Sequence, residues 1–419
     1  MEYKYNYRSL HLDCARHFFS VETVKKVIEG ISYGNLNVLH WHLTDDHAWR
    51  IESKKFPGLH EKSGQFYTQK EIREIIDFAK ERGIEVVPEI DMPGHNLALL
   101  SVFPEYSCKG VSVAPAKARG VYKTILCAGK EDTYSFVEEL LDEMIPLFDS
   151  EYFHIGGDEA PKDEWKECPH CNAKMKELGL SSYEDLQGWF TAQICGVLKK
   201  YGKKPIVWND ALLAQNLPDD IVVQYWTIDY AKEMKNFVAK GGKWIYSDMF
   251  ELYLDYPHSM IPLKKVYEFE THLYKYDIPN IEGLMGYECC CWTEHIETEQ
   301  ALCEHIFPRV YALAERAAGE VHTDYESFKT RVREKVKLLE KVGIPYTKEE
   351  WWDPKGKVRR EDAIDFYLNM GAGLDEEEKK KQAESAAPKL EFVMHFIKEF
   401  YKLSDVPAFL WKYLFGKKG

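Results

Sequence analysis

Two adjacent carboxylates reached through two glycines, in His154-Ile155-Gly156-Gly157-Asp158-Glu159, make the segment of this chain best suited to acid–base chemistry. Glycine adopts backbone angles that other residues refuse, so the turn can aim both side chains at one place. Like charges held close push their pKa values apart, and one carboxyl then stays protonated beside a charged neighbour. A general acid working next to an electrostatic stabiliser needs this arrangement. Two other groups have the residue types of metal ligands. His40 and His42 share a strand face on either side of Trp41, but no third ligand is near in sequence, and hydrogen-bonded buried histidines account for them. Cys168-Pro169-His170-Cys171 has half the spacing of a zinc knuckle without a second Cys-x-x-Cys to complete it. Neither a metal nor any other cofactor is therefore assigned.

Chemistry of this kind needs a scaffold that gathers distant residues. Short apolar runs alternate with helix-length amphipathic segments, the pattern of parallel βα units. Eight runs stand out, at 9–12, 37–41, 85–90, 152–155, 205–208, 222–226, 244–247 and 283–292. Eight strands close a (β/α)8 TIM barrel. Between the runs the periodicity predicts helices over 21–33, 68–82, 133–148, 182–201, 230–239 and 298–317. Thr68 and Glu71 have capping-box spacing, and Gly83 suits the left-handed residue that ends a helix. The expected fold class is α/β, with a catalytic barrel over 1–319 and a C-terminal helical extension over 320–419. The extension has helices at 325–342, 361–370 and 386–403, the last with Leu390, Val393, Ile397 and Phe400 near helical spacing. That stripe must be buried, against the barrel wall or at a dimer contact, for which Phe409, Trp411 and Phe415 are further candidates.

A barrel presents its site at the C-terminal ends of its strands. Unusual polar and aromatic residues gather at all eight. Asp13 and Arg16 follow the first run, Thr44-Asp45-Asp46 the second, Asp91 to His95 the third and Asp158-Glu159 the fourth. Trp208-Asn209-Asp210 ends the fifth and Trp226 the sixth; Asp248, Tyr253 and Asp255 follow the seventh, and Trp292-Thr293-Glu294 ends the eighth.

His154 to Glu159 resembles the signature of family 20 glycoside hydrolases, the β-N-acetylhexosaminidases. His40 to Asp46 resembles the family's second-strand motif and Asp91-Met92-Pro93-Gly94-His95 its third. Arg8 with Asp13 and Arg16, Tyr253-Leu254-Asp255, and Trp292-Thr293-Glu294 match further family positions in order, so the likeness runs from about residue 7 to 319. Ser9 and His47 depart from the family's usual Gly and Gln, and the α+β domain that precedes the barrel in many members has no counterpart before residue 7. The resemblance implies a retaining exo-enzyme that removes terminal β-linked GlcNAc or GalNAc from glycans by substrate-assisted catalysis. Glu159 would be the general acid and base. Asp158 would hold the acetamido N–H and face the charge of an oxazolinium intermediate, and Tyr253 would donate to the acetamido oxygen. Trp208, Trp226 and Trp292 would wall the sugar, while Arg8, Asp255 and Glu294 would take its hydroxyls. Asp91, His95, His154 and Asp45 would support the acids from behind.

The net charge of −14 disfavours phosphate backbones and anionic lipid, so neither nucleic acid nor a membrane surface is an expected partner. No stretch reaches the roughly 18 apolar residues of a membrane span, and no apolar segment opens the chain. Most of the ten Cys sit in apolar runs or, at Cys289-Cys290-Cys291, on alternating faces of a strand, which points to a reducing, cytoplasmic setting. The expected assembly is a monomer or a homodimer. A barrel that binds sugar without cleaving it, and a zinc-dependent hydrolase using the His and Cys residues, are the competing functions.

Overall fold

The computed structural model describes residues 3–271, 282–319 and 324–369. Eight parallel strands close a barrel in sequence order. They are β1 (Tyr7–Asp13), β2 (Val38–His42), β3 (Glu85–Glu89), β4 (Tyr152–His154), β5 (Lys204–Trp208), β6 (Val222–Tyr225), β7 (Lys243–Tyr246) and β8 (Leu284–Cys291). Closure is through β1 and β8, where Arg8 lies beside Tyr287 and Leu12 beside Cys291. Every predicted apolar run supplies one strand, because a strand covered by helices outside and packed inside is buried on both faces.

The helices that return the chain follow their amphipathic stripes. Val21–Tyr33 is capped by Ser20, and Gln69–Lys80 starts from a full capping box between Thr68 and Glu71. The span expected as one helix over 298–317 is two, Glu299–Ile306 and Tyr311–Ala317. Pro308 has no N–H to continue the first ladder, which explains the break. Five helices among the described residues were not expected: Gly58–Ser63, Leu97–Leu100, Leu263–Glu268, and Asp163–Glu167 and Pro169–Leu178, the last two in the connection that follows the Asp158-Glu159 turn.

The connections at the C-terminal rim are the long ones, and they build the walls of the mouth. At the opposite end Tyr7, Val38, Val87, Ile206, Val222 and Ile245 form a separate buried apolar layer that plugs the barrel floor.

Beyond the barrel, helix Tyr325–Val342 buries Phe328, Val332, Val336 and Leu339. Phe328 stacks on Tyr267 with ring centroids 4.4 Å apart, and Leu263 N–H donates to Trp352 O at 2.9 Å. Helix Gly356–Asn369 brings Phe366 to the rim of the mouth. Residues 370–419, and with them Leu390, Val393, Ile397, Phe400, Phe409, Trp411 and Phe415, lie outside the described residues.

Candidate active site

After His154 the chain enters the mouth through left-handed residues, Gly156 (φ 64°), Gly157 (φ 94°) and Glu159 (φ 44°). A Cβ on Gly156 would lie 1.7 Å from Asp91 Oδ1, so the turn can cross Asp91 only as glycine. Asp91 accepts the Gly157 N–H at 3.0 Å, Gln187 donates to Gly157 O at 2.7 Å, and Asp210 accepts the Glu159 N–H at 3.2 Å. A left-handed non-glycine residue costs on the order of 1–3 kcal/mol and persists only where its surroundings hold it, which these three side chains do.

Asp158 and Glu159 face a hollow of about 250 Å³ whose walls include Arg16, Trp208, Trp226, Tyr253, Asp255, Trp292 and Glu294. Tyr253 lies nearly parallel to Trp226, centroids 6.3 Å apart and planes 16° apart. Trp292 completes the aromatic wall at 6.3 Å from Tyr253 and 6.0 Å from Trp208. Burial pushes the Tyr253 hydroxyl well above the usual phenol range, which keeps it a neutral donor. Burial, reinforced by Glu294, pushes the Asp255 carboxyl up to about 8.

The two catalytic candidates differ in setting. Asp158 is buried, with an Oδ1 that has no hydrogen-bond partner among the described residues. Burial, and then Asp91, holds its carboxyl well above the ordinary range. The Glu159 side chain is 37% exposed and reaches solvent through the hollow. His95 Nε2 lies between them, 3.6 Å from an oxygen of each. Its Nδ1 is 3.2 Å from Asp46 and 3.6 Å from Asp45. Burial works against a charge on His95, but Asp45, Asp46 and Glu159 outweigh it and the imidazole is held well above its usual pKa. His95 thus carries a cation to the back of both acids. Asp45 also pairs with Arg16 at 2.9 Å and with His42 at 3.0 Å. Asp46 in addition accepts the N–H of Leu97 at 2.9 Å, which starts helix Leu97–Leu100.

Beneath the hollow Glu89 organises a second tier. It binds His42 Nδ1, accepts from Trp208 Nε1 at 2.9 Å and lies 2.9 Å from His154 Nδ1. His40 Nδ1 meets Glu288 at 2.9 Å. His40 and His42 are therefore buried, paired histidines of the network. Imidazoles and carboxylates here pair with one another. By contrast, Cys168 and Cys171, which the sequence left without partners, meet Cys108 and Cys127, with Sγ atoms of all four within 4.8 Å. The half-knuckle therefore does have neighbours of its own kind, and they are single cysteines from another connection.

A profile of the glycosyl hydrolase family 20 catalytic domain matches residues 5–318. The chain belongs to glycosyl hydrolase family 20. It is 34% identical over 363 residues to a β-hexosaminidase of Porphyromonas gingivalis, covering 82% of this chain and 47% of that protein. It is 33% identical over 345 residues to a β-hexosaminidase of Vibrio furnissii, covering 74% and 56%. Among solved structures it superposes on the Flavobacterium johnsoniae chitobiase with a TM-score of 0.74 at 34% identity, over 82% of this chain and 52% of that one. The family 20 exo-β-N-acetylglucosaminidase of Vibrio harveyi, solved with N-acetylglucosamine, gives 0.73 at 31%, over 83% and 60%. The chain spans about half the length of these curated relatives.

Of the residues singled out for family 20 chemistry, the hollow gathers Asp158, Glu159, Tyr253, Trp208, Trp226, Asp255, Trp292 and Glu294, with Asp91, His95, His154 and Asp45 behind them. Arg8 is not among them. It stands at the start of β1, at the floor end of the barrel, where Nε donates to Asn35 O at 2.8 Å and Nη1 to Asn6 O at 3.1 Å. Strand position decides this correction, since β1 delivers to the mouth only the residues beyond Asp13. Arg16 does lie beyond it, and its guanidinium sits 4.7 Å over the Trp292 ring. Glu89 and Arg119 were also missed. Glu89 could have been noticed as an acid directly after the apolar Val86-Val87-Pro88; Arg119 lies in an irregular connection with no pattern to mark it.

Proposed function

We propose that this family 20 chain is a retaining exo-β-N-acetylhexosaminidase acting on glycans that end in β-linked GlcNAc or GalNAc. The observation that carries the proposal is the convergence of Asp158, Glu159 and Tyr253 on one indole-walled hollow of about 250 Å³. Glu159 protonates the departing glycosidic oxygen while the substrate's acetamido oxygen attacks the anomeric carbon to form an oxazolinium ion. Asp158, ionised in the substrate complex, accepts the acetamido N–H and balances the developing positive charge. The Tyr253 hydroxyl donates to the acetamido oxygen and holds it at attack distance. Glu159 then takes a proton from water, which opens the ring with net retention. Trp208, Trp226 and Trp292 exclude water and enclose the acetamido methyl, with Arg16, Asp255 and Glu294 on the sugar hydroxyls. A neighbouring hollow of about 260 Å³ shares Glu159 and Trp226 and leads away past Lys162, Asp210 and Tyr230, giving the rest of the glycan a place to lie.

Steady-state kinetics on aryl glycosides test this directly. N-acetylglucosaminides should be cleaved and unsubstituted glucosides left intact; equal rates on both would overturn the proposal. Glu159→Gln should lower kcat by about 10²–10⁴-fold on a poor leaving group and recover part of it on an activated one. Asp158→Asn should lose a comparable factor with its melting temperature unchanged, and a near-normal rate in that variant excludes the oxazolinium route.

A further inference from the structure

The connection after β3 leaves the barrel for some forty residues and is tied at its neck. Ser107 pairs with Leu126 as an isolated bridge, and Cys127 N–H donates to Tyr106 O at 2.8 Å. Cys108 and Cys127 therefore leave the neck side by side. The connection after β4 meets them with Cys168, which caps helix Pro169–Leu178, and Cys171 in that helix's first turn. Backbones touch here: a Cβ on Gly129 would lie 2.2 Å from Cys171 N.

The Sγ separations are 3.6 Å for Cys127–Cys171 and 3.8 Å for both Cys108–Cys171 and Cys127–Cys168. A disulfide requires about 2.05 Å. Four thiolates at about 2.3 Å from one tetrahedral zinc ion stand roughly 3.8 Å from each other, the spacing seen here. Cys127, Cys168 and Cys171 are buried and Cys108 is half-buried, so a bound ion would be shielded from water and chelators. Four soft sulfur donors and no oxygen or nitrogen select Zn²⁺ over the hard divalent cations.

We propose that Cys108, Cys127, Cys168 and Cys171 form a closed, all-thiolate site that binds one structural Zn²⁺. The ion cross-links the two connections that flank the catalytic turn. One of them carries Glu159, and the other carries Arg119 to the wall of the hollow and Val121 to its neighbour. Polar ties between the same two connections run alongside, Lys109 to Glu164 at 3.1 Å, Lys123 to Asp163 at 3.2 Å and Thr124 to Glu164 at 2.9 Å. With zinc in place the excursion is anchored at its neck; without it these ties and the Trp165 Nε1 donation to Leu126 O at 2.9 Å remain, the surface pair of Lys123 and Asp163 being worth little in water. Zinc is thus a positioning device for Arg119, away from the bond that breaks.

The whole chain, purified under reducing conditions without chelator, should contain about one zinc per chain by elemental analysis, with other metals below a tenth of that. Cys108→Ser and Cys171→Ser should lose the metal, and Cys195→Ser, a buried cysteine outside the cluster, should retain it. Exchange of Co²⁺ into the wild type should give the visible bands of tetrahedral thiolate cobalt, a readout that needs no variant to fold. Releasing the metal with a mercurial reagent should lower the melting temperature and raise KM several-fold with kcat changed less. Zinc below about a fifth of an equivalent in protein with all ten thiols reduced would overturn the proposal. So would iron in place of zinc, or two disulfides among these cysteines in the freshly isolated protein.

Discussion

The two ends of the barrel interior are built from the same strands on opposite principles. At the floor Tyr7, Val38, Val87, Ile206, Val222 and Ile245 close the barrel with hydrocarbon and one phenol. Two residues further along, on the same faces, stand Ser9, His40, Glu89, Trp208 and Gln224. One pleat repeat takes the barrel from packing to electrostatics. The floor is held by removal of apolar surface from water, roughly 25 cal/mol per Å². The upper tier puts ionised groups where isolated charges would be prohibitively costly, and it survives because they are matched. Burial disfavours the imidazolium forms, but Glu288 and Glu89 raise His40 to about 9, and Glu89 and Asp45 raise His42 to about 10. Burial takes His11 the other way, down to about 4. At neutral pH the tier therefore holds the carboxylates Glu89 and Glu288 against the imidazoliums of His40 and His42. Stability at the floor is nonspecific, whereas at the top it is inseparable from where the charges sit.

The sharpest way to break that contrast is to change one residue in each tier. Glu89→Gln strands the imidazoliums and removes the acceptor of Trp208 Nε1, so it should cost about 3–5 kcal/mol in chemical denaturation. It should also lower kcat/KM at temperatures where the variant is still folded, because Trp208 is a wall of the hollow. Ile206→Ala at the floor should cost a similar 2–5 kcal/mol through its cavity and leave kcat/KM unchanged under the same conditions. Equal kinetic losses in both variants would mean that the upper tier acts merely as core.

The two arginines of the β1 segment sharpen the contrast with a smaller effect. Arg16→Ala should raise KM about 10–100-fold, since it removes the guanidinium over Trp292 and the partner of Asp45. Arg8→Ala should leave the kinetics alone and lose about 1–2 kcal/mol of stability with its backbone hydrogen bonds. A KM effect from Arg8 would contradict its place at the floor.

The pair also shows what could be read from residues alone. Alternation and run length define strands whether or not their neighbours are known, so all eight were legible, as was the helix start marked by Thr68. Residues next to strand ends, such as Asp158, Glu159 and Trp292, were legible as site residues for the same reason. Arg8 misled because sequence distance from a motif does not say which end of a strand a residue occupies. Glu89 looked like part of a strand because its partners come from β1, β2, β4 and β5, none of them adjacent in sequence. The four thiols needed a contact between two connections whose paths no periodicity describes.

Among the residues of the mouth Asp210 gives the smallest expected loss of catalysis, and it tests the mouth itself. It accepts the Glu159 N–H and, at 2.7 Å, Trp226 Nε1–H. Burial pushes its carboxyl up to about 6, with those hydrogen bonds pulling the other way. In the unfolded chain it titrates near 4. Between those values the folded state binds the proton that the unfolded state has released, so the contribution to stability is full below about pH 4 and is lost as pH rises to about 6, by at most roughly 1.4 kcal/mol per pH unit. Asp210→Asn cannot titrate, so the melting temperature of the wild type relative to the variant should fall across that interval and then level off. The amide also presents an N–H to Trp226 where an acceptor stood, so the wall should loosen and KM should rise less than tenfold. A difference in melting temperature that stays constant from pH 4 to 7 would show that Asp210 is ionised throughout, and that hydrogen bonds rather than burial govern the carboxyl behind Glu159.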